Sequence, residues 1–258
     1  MPCLRASMQL ACRCRPQLKS QALAARSQSK DFSFDLDGRD VPVALRRNRQ
    51  ARRIIMRVDP KTDGVRLTLP WYASEAEALG FLESQQAWLR RRLEKLPDRI
   101  PFEHGQAIPI LGVDHVIAHH PEARRGVWLD DGTICVSGDE KHLPRRLGDW
   151  LRKEAKRQLS ELALEKAAFL DVRIGRITVR DTTSRWGSCA HDGSLNFSWR
   201  MIMAPDFVFD FIVAHEVAHI LERNHGPRFH AVVHRLTPFE KKAEAWLNAY
   251  GPALHRIG

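Results

Sequence analysis

The stretch Asp206 to Pro227 reads DFVFDFIVAHEVAHILERNHGP, and its pattern decides how the rest of the chain is read. From Phe207 to Leu221 apolar residues recur on nearly every face of a 3.6-residue helix, the mark of a helix buried all round. Into that apolar surface fall His215, Glu216 and His219. Two imidazoles and a carboxylate buried without partners would cost several kcal/mol each, so something must compensate them. Residues four apart lie one turn above each other on the same face, so His215 and His219 can offer nitrogens to one ion. Glu216 stands beside that ion without having to ligate it, which suits a base that takes the proton of an activated water.

A catalytic zinc takes three protein ligands and leaves one position open. His225 is the expected third ligand. A continued helix would carry it about 15 Å along the axis from His215 and onto another face, so the helix must stop, and Asn224 with Gly226-Pro227 supplies residues able to stop it. Glu240 and Glu244 stand where a ligand on a following helix would be placed. Thr237-Pro238-Phe239-Glu240 also reads as a capping box with proline at the first helical position, which gives Glu240 a structural use. Cys189 is a further option. His230 and His234 are four apart with no glutamate in the motif position, and read as one helix face.

Upstream, β-prone segments at Val41 to Leu45, Arg53 to Val58 and Val65 to Leu69, the last after an Asp63-Gly64 turn, read as a small antiparallel sheet. Ser74 is expected to cap one helix running to about Leu96. Further strands are expected around Ile108 to Ile117 and Gly126 to Val136, and a helix from about Pro144 to Leu170 whose Leu147, Leu151, Ala155 and Leu159 recur at four-residue steps. Strands at Arg176 to Arg180 and Leu195 to Trp199 flank a loop containing Arg185-Trp186-Gly187-Ser188-Cys189. Helices over Asp206 to Arg223, Pro227 to Leu236 and Pro238 to Ala249 complete an α+β chain. The expected organisation is a basic flexible tail at 1–30, an N-terminal β-rich module at 31–140 and a catalytic module at 141–250.

The net charge is +10, but residues 1–30 hold six Lys or Arg and no acid, leaving 35 basic against 31 acidic residues, or +4, for the body. The basicity therefore belongs largely to the tail. The runs Arg46, Arg47, Arg49, Arg52, Arg53 and Arg90 to Arg92 read either as solvated faces or as a phosphate-binding patch. Five cysteines, three of them in the tail, make no disulfide framework. No segment reaches the roughly 20 apolar residues that span a bilayer, and the tail has no apolar signal core. The expected location is the cytoplasm, with no membrane partner.

Taken together, Arg185 to Cys189, Leu195-Asn196, the His215 to His219 helix and Asn224-His225-Gly226-Pro227-Arg228-Phe229 resemble the YgjP-like metallopeptidase domain family, relatives of the SprT and WLM zincins. The likeness runs from about Asp40 to Ala249. It implies a zincin-like core binding one Zn²⁺, with His215, His219 and His225 as ligands, Glu216 as catalytic acid/base, and a peptide or protein substrate. It departs at His230, where the family usually carries Trp; an imidazole there is either a transition-state donor or a packing residue. Arg185 suits a substrate carboxylate or phosphate, and Trp186 either stacks on substrate or locks a tight Gly187 turn. Members have been proposed to act as nucleoside triphosphate pyrophosphatases, so a nucleotide such as UTP is the alternative substrate. A nucleic-acid-associated binding module is the other alternative, against which Glu216 argues, since a scaffold needs no base.

Overall fold

The computed structural model describes residues 10–12 and 29–258. They form two compact units, one reaching Pro97 and the other spanning Asp98–Gly258.

The first unit is built on strands β1 (Leu10–Cys12), β2 (Ser29–Leu36), β3 (Arg39–Asn48), β4 (Ile54–Asp59) and β5 (Gly64–Pro70). The sheet order is β1-β4-β5-β3-β2. Alternation buries Val41, Val43 and Leu45 on β3, Ile54 and Met56 on β4, and Val65, Leu67 and Leu69 on β5, as a strand with one face on a core requires. The sheet is mixed rather than antiparallel, because β3 pairs in parallel with β5, Leu45 opposite Leu67. Their connection has room to cross over because β4 lies between them in sequence. Strand β1 pairs Cys12 with Ile54 and β2 begins at Ser29, so the expected unstructured tail carries strand residues; its other positions lie outside the described residues.

The helix expected over 74–96 is two, α1 (Glu75–Ser84) and α2 (Gln86–Glu94), split at Gln85 with φ −108° and ψ 12°. The Ser74 and Glu77 capping box forms at the start. Splitting turns Ala78, Phe81 and Leu82 of α1 and Leu89 and Leu93 of α2 onto one apolar core with the sheet.

The second unit opens with β6 (Ala107–Ile110), β7 (Val113–His120), β8 (Val127–Asp130) and β9 (Thr133–Ser137), ordered β6-β7-β9-β8. Ile108, Ile117, Ile134 and Val136 share one core with Leu147, Leu151 and Leu159 of α3 (Leu143–Phe169). The boundary expected at residue 140 therefore falls at 97: a four-stranded sheet with one apolar face is buried by α3, not by the first unit's helices. Strands β10 (Ile177–Arg180), β11 (Gly187–Cys189) and β12 (Leu195–Ser198) form a second sheet ordered β10-β12-β11. Its β11 lies within the segment read as a loop. Three helices follow, α4 (Asp206–Leu221), α5 (Pro227–Leu236) and α6 (Glu240–Leu254).

Two buried cations tie these helices down. Lys166 on α3 bonds Asp210 of α4 at 2.6 Å and the Leu236 carbonyl ending α5 at 2.8 Å. Arg200 bonds Asp181 at 2.8 Å and donates to the carbonyls of Leu254 and Ile257, drawing residues past the expected end at 250 into the core. Among the described residues no helix is long and apolar enough to cross a membrane.

Candidate metal centre

Helix α4 is buried from Phe211 to His219, and it carries His215 and Glu216 at 5% exposure and His219 at 7%. It ends where Glu222 turns extended, φ −126° and ψ 110°, one turn after His219. The carbonyl of Glu222, released from the helix, accepts the Nδ1–H of His219 at 3.0 Å. That fixes the tautomer and leaves Nε2 with a bare lone pair, as in a metal-ligating imidazole whose other nitrogen is held by a backbone carbonyl.

Asn224 to Gly226 then folds back, closed by a 2.7 Å bond from Gly226 N–H to the Asn224 carbonyl, and Pro227 starts α5 at the first helical position. The turn returns His225 to His215, Nε2 to Nε2 at 3.1 Å. Among the described residues His215, His219 and His225 are the one group of three or more His, Cys, Asp or Glu side chains with ligand atoms within 4.8 Å of one another. The ring of Phe229, fully buried on α5, lies 4.5 to 4.9 Å from all three imidazole centroids and closes one side of the cluster.

Burial disfavours the imidazolium forms. His215 falls to about 3, through desolvation first and then the charges of His219, His225 and His230. His219 and His225 are also lowered, chiefly by burial. Three neutral imidazoles with converging nitrogens are a donor set for a borderline divalent ion. Tetrahedral ligands about 2.0–2.1 Å from zinc stand about 3.3 Å apart, close to the His215 to His225 separation. The residues present fit zinc.

Glu216, the next residue on α4, packs against β11. A Cβ added to Gly187 would lie 2.5 Å from both Cγ and Oε1 of Glu216, so only glycine admits the carboxylate there. Burial raises Glu216 to about 8, opposed by the charge of Arg185. Arg185 itself is exposed. Arg223 donates to the carbonyls of Ala190 and His191 at 2.7 and 3.0 Å, holding the β11–β12 turn to the helix exit.

Other expected site residues lie elsewhere. Trp186 is buried, stacked at 4.7 Å on His255 and backed by Gly251; its faces are used inside the fold rather than offered to a substrate. Cys189 contacts Arg223 and the Ala190 carbonyl, outside the histidine group. Glu240 is buried with Oε1 2.7 Å from Nδ1 of His230 and Oε2 3.2 Å from Nε2 of His234. The expected capping box is absent, because two imidazoles claim that carboxylate and Thr237 Oγ1 accepts instead from the Phe239 N–H. The roles of Gly187, Phe229 and the Glu222 carbonyl escaped sequence reasoning. Gly187 and Phe229 stood inside quoted motifs, but a close approach and a ring beneath three imidazoles leave no periodic signal.

The chain matches the YgjP-like, metallopeptidase domain family model over residues 52–250. No curated protein and no solved structure matches it. The chain belongs to the YgjP-like family.

Proposed function

From membership of a metallopeptidase-domain family and the three converging imidazoles, we propose that this protein is a zinc-dependent peptidase with His215, His219 and His225 as ligands and Glu216 as general base. When bound, zinc supplies Lewis acidity that polarises a carbonyl and acidifies water. Glu216, one residue from the first ligand and buried beside Gly187, takes the proton of the attacking water and returns it to the leaving amine.

A peptide is favoured by the position of β11. Among the described residues this strand is an edge, paired with β12 alone, and it runs against α4 at Glu216. An extended peptide adds to such an edge through main-chain bonds, which bring its carbonyls past the base. His230, oriented by Glu240, is the candidate donor to the developing oxyanion, and exposed Arg185 the candidate for a substrate carboxylate.

The observation that carries the reading is the set of ligand nitrogens within 4.8 Å. The test is hydrolysis of a library of quenched fluorescent peptides by wild-type protein and by Glu216→Gln, with zinc quantified in both. We expect cleavage that falls about 100-fold or more in the variant while zinc content stays. Equal cleavage by the variant would remove Glu216 from the chemistry.

A further inference from the structure

The chain has a second chemically distinctive surface, in the first unit. Strands β3 and β4 flank β5, so the connection from Asn48 to Ile54 passes across the end of β5, where Pro70 gives way to Trp71 and Tyr72. The register confirms the meeting: Asn48 pairs with Pro70, and the Tyr72 hydroxyl donates to the Arg52 carbonyl at 3.1 Å. Arg46, Arg49, Arg52 and Arg53 gather at this end of the sheet, and all four are exposed. None of them has a side-chain ion pair or hydrogen bond among the described residues.

Arg47 differs. It reaches inward and donates to the carbonyls of Trp71 and Ala73, bracing the loop. The loop so braced presents Trp71 at 59% and Tyr72 at 37% exposure, edge to face at 5.8 Å. Trp71, more than half exposed, gains little for the fold, and four like charges at one sheet end repel one another. The two acids that follow this loop in sequence are already committed, Glu75 to Lys30 and Glu77 to the Ser74 cap.

We infer that this sheet end binds single-stranded nucleic acid, with Trp71 and Tyr72 as a base-stacking platform and Arg46, Arg49, Arg52 and Arg53 on the phosphates. The two halves are the recognition chemistry of single strands: aromatic faces take bases of any sequence and guanidinium groups follow the backbone. A merely acidic peptide would satisfy the arginines and leave the platform unused.

The test is fluorescence anisotropy of a labelled 20-mer oligothymidylate titrated with the full chain, in chelator so that the metal centre takes no part. Trp71→Ala should weaken binding about 5- to 100-fold, and Trp71→Phe should restore most of it. Replacing Arg52 and Arg53 by Ser should lower the magnitude of the salt slope by about 1.4. Circular dichroism checks that each variant is folded. Undiminished affinity in Trp71→Ala would assign any binding to charge alone and overturn the proposal, as would an oligoglutamate of equal length binding as tightly as the oligonucleotide.

Discussion

Glu216 is withdrawn from water on α4, and its carboxyl group is pushed up to about 8 from an ordinary value of 4.5. Between those values the unfolded chain gives up the proton while the folded chain keeps it, so the folded state binds more protons and loses stability as pH rises. Gln at the same position carries no such penalty. In chelated protein, Glu216→Gln should therefore raise the thermal midpoint more at pH 8 than at pH 5; an equal shift at both would show that burial does not govern this group. Gly187 is the partner of that arrangement. Gly187→Ala would set a methyl 2.5 Å from the Glu216 carboxylate, and overpacking of that kind costs about 1–3 kcal/mol. Turnover should fall with zinc still bound, because the base is displaced and the ligands are not.

At the scale of elements, Lys166 fastens three helices through one ammonium group: its own α3, Asp210 on α4 and the carbonyl that ends α5. Removing one partner of a buried pair leaves the other uncompensated, and Asp210 is partly exposed, so Lys166→Ala should cost about 2–3 kcal/mol in urea unfolding. Lys166→Met, which keeps the buried stem, should cost less. The same elements show why the sequence was readable in places. α4 was legible because apolar residues on every face leave no other reading, and Asn224 to Pro227 marked a break. β11 was not, because Gly187-Ser188-Cys189 has weak strand propensity and is held as a strand by pairing with β12 and by the approach of Glu216. Thr237 to Glu240 carried a valid capping pattern, yet His230 and His234 won the carboxylate, a contact between two helices that local pattern cannot reveal. His225 was legible as the third member of the group for a geometric reason: ten residues on from His215, only a reversal of the chain brings it near.

For the whole molecule, two apolar cores follow the two units, and the cluster of histidines belongs to the second. The expected boundary near 140 failed because strand patterns alone do not say which helix buries them. Separate cores make a prediction about coupling. A ligand stabilises the unit that binds it in the folded state by mass action, so zinc removal should speed hydrogen exchange in α4 and α5 and leave β3 to β5 protected as before. Loss of protection throughout the chain would show that one cooperative unit carries both cores.

Zinc stoichiometry of His225→Ala, measured by plasma emission spectrometry beside wild type and Glu240→Gln and with folding checked by circular dichroism, bears most directly on the site. We expect one zinc per chain in wild type and in Glu240→Gln, and well under half in His225→Ala. Full occupancy in His225→Ala with depletion in Glu240→Gln would contradict the three-histidine centre and move the third ligand to α6.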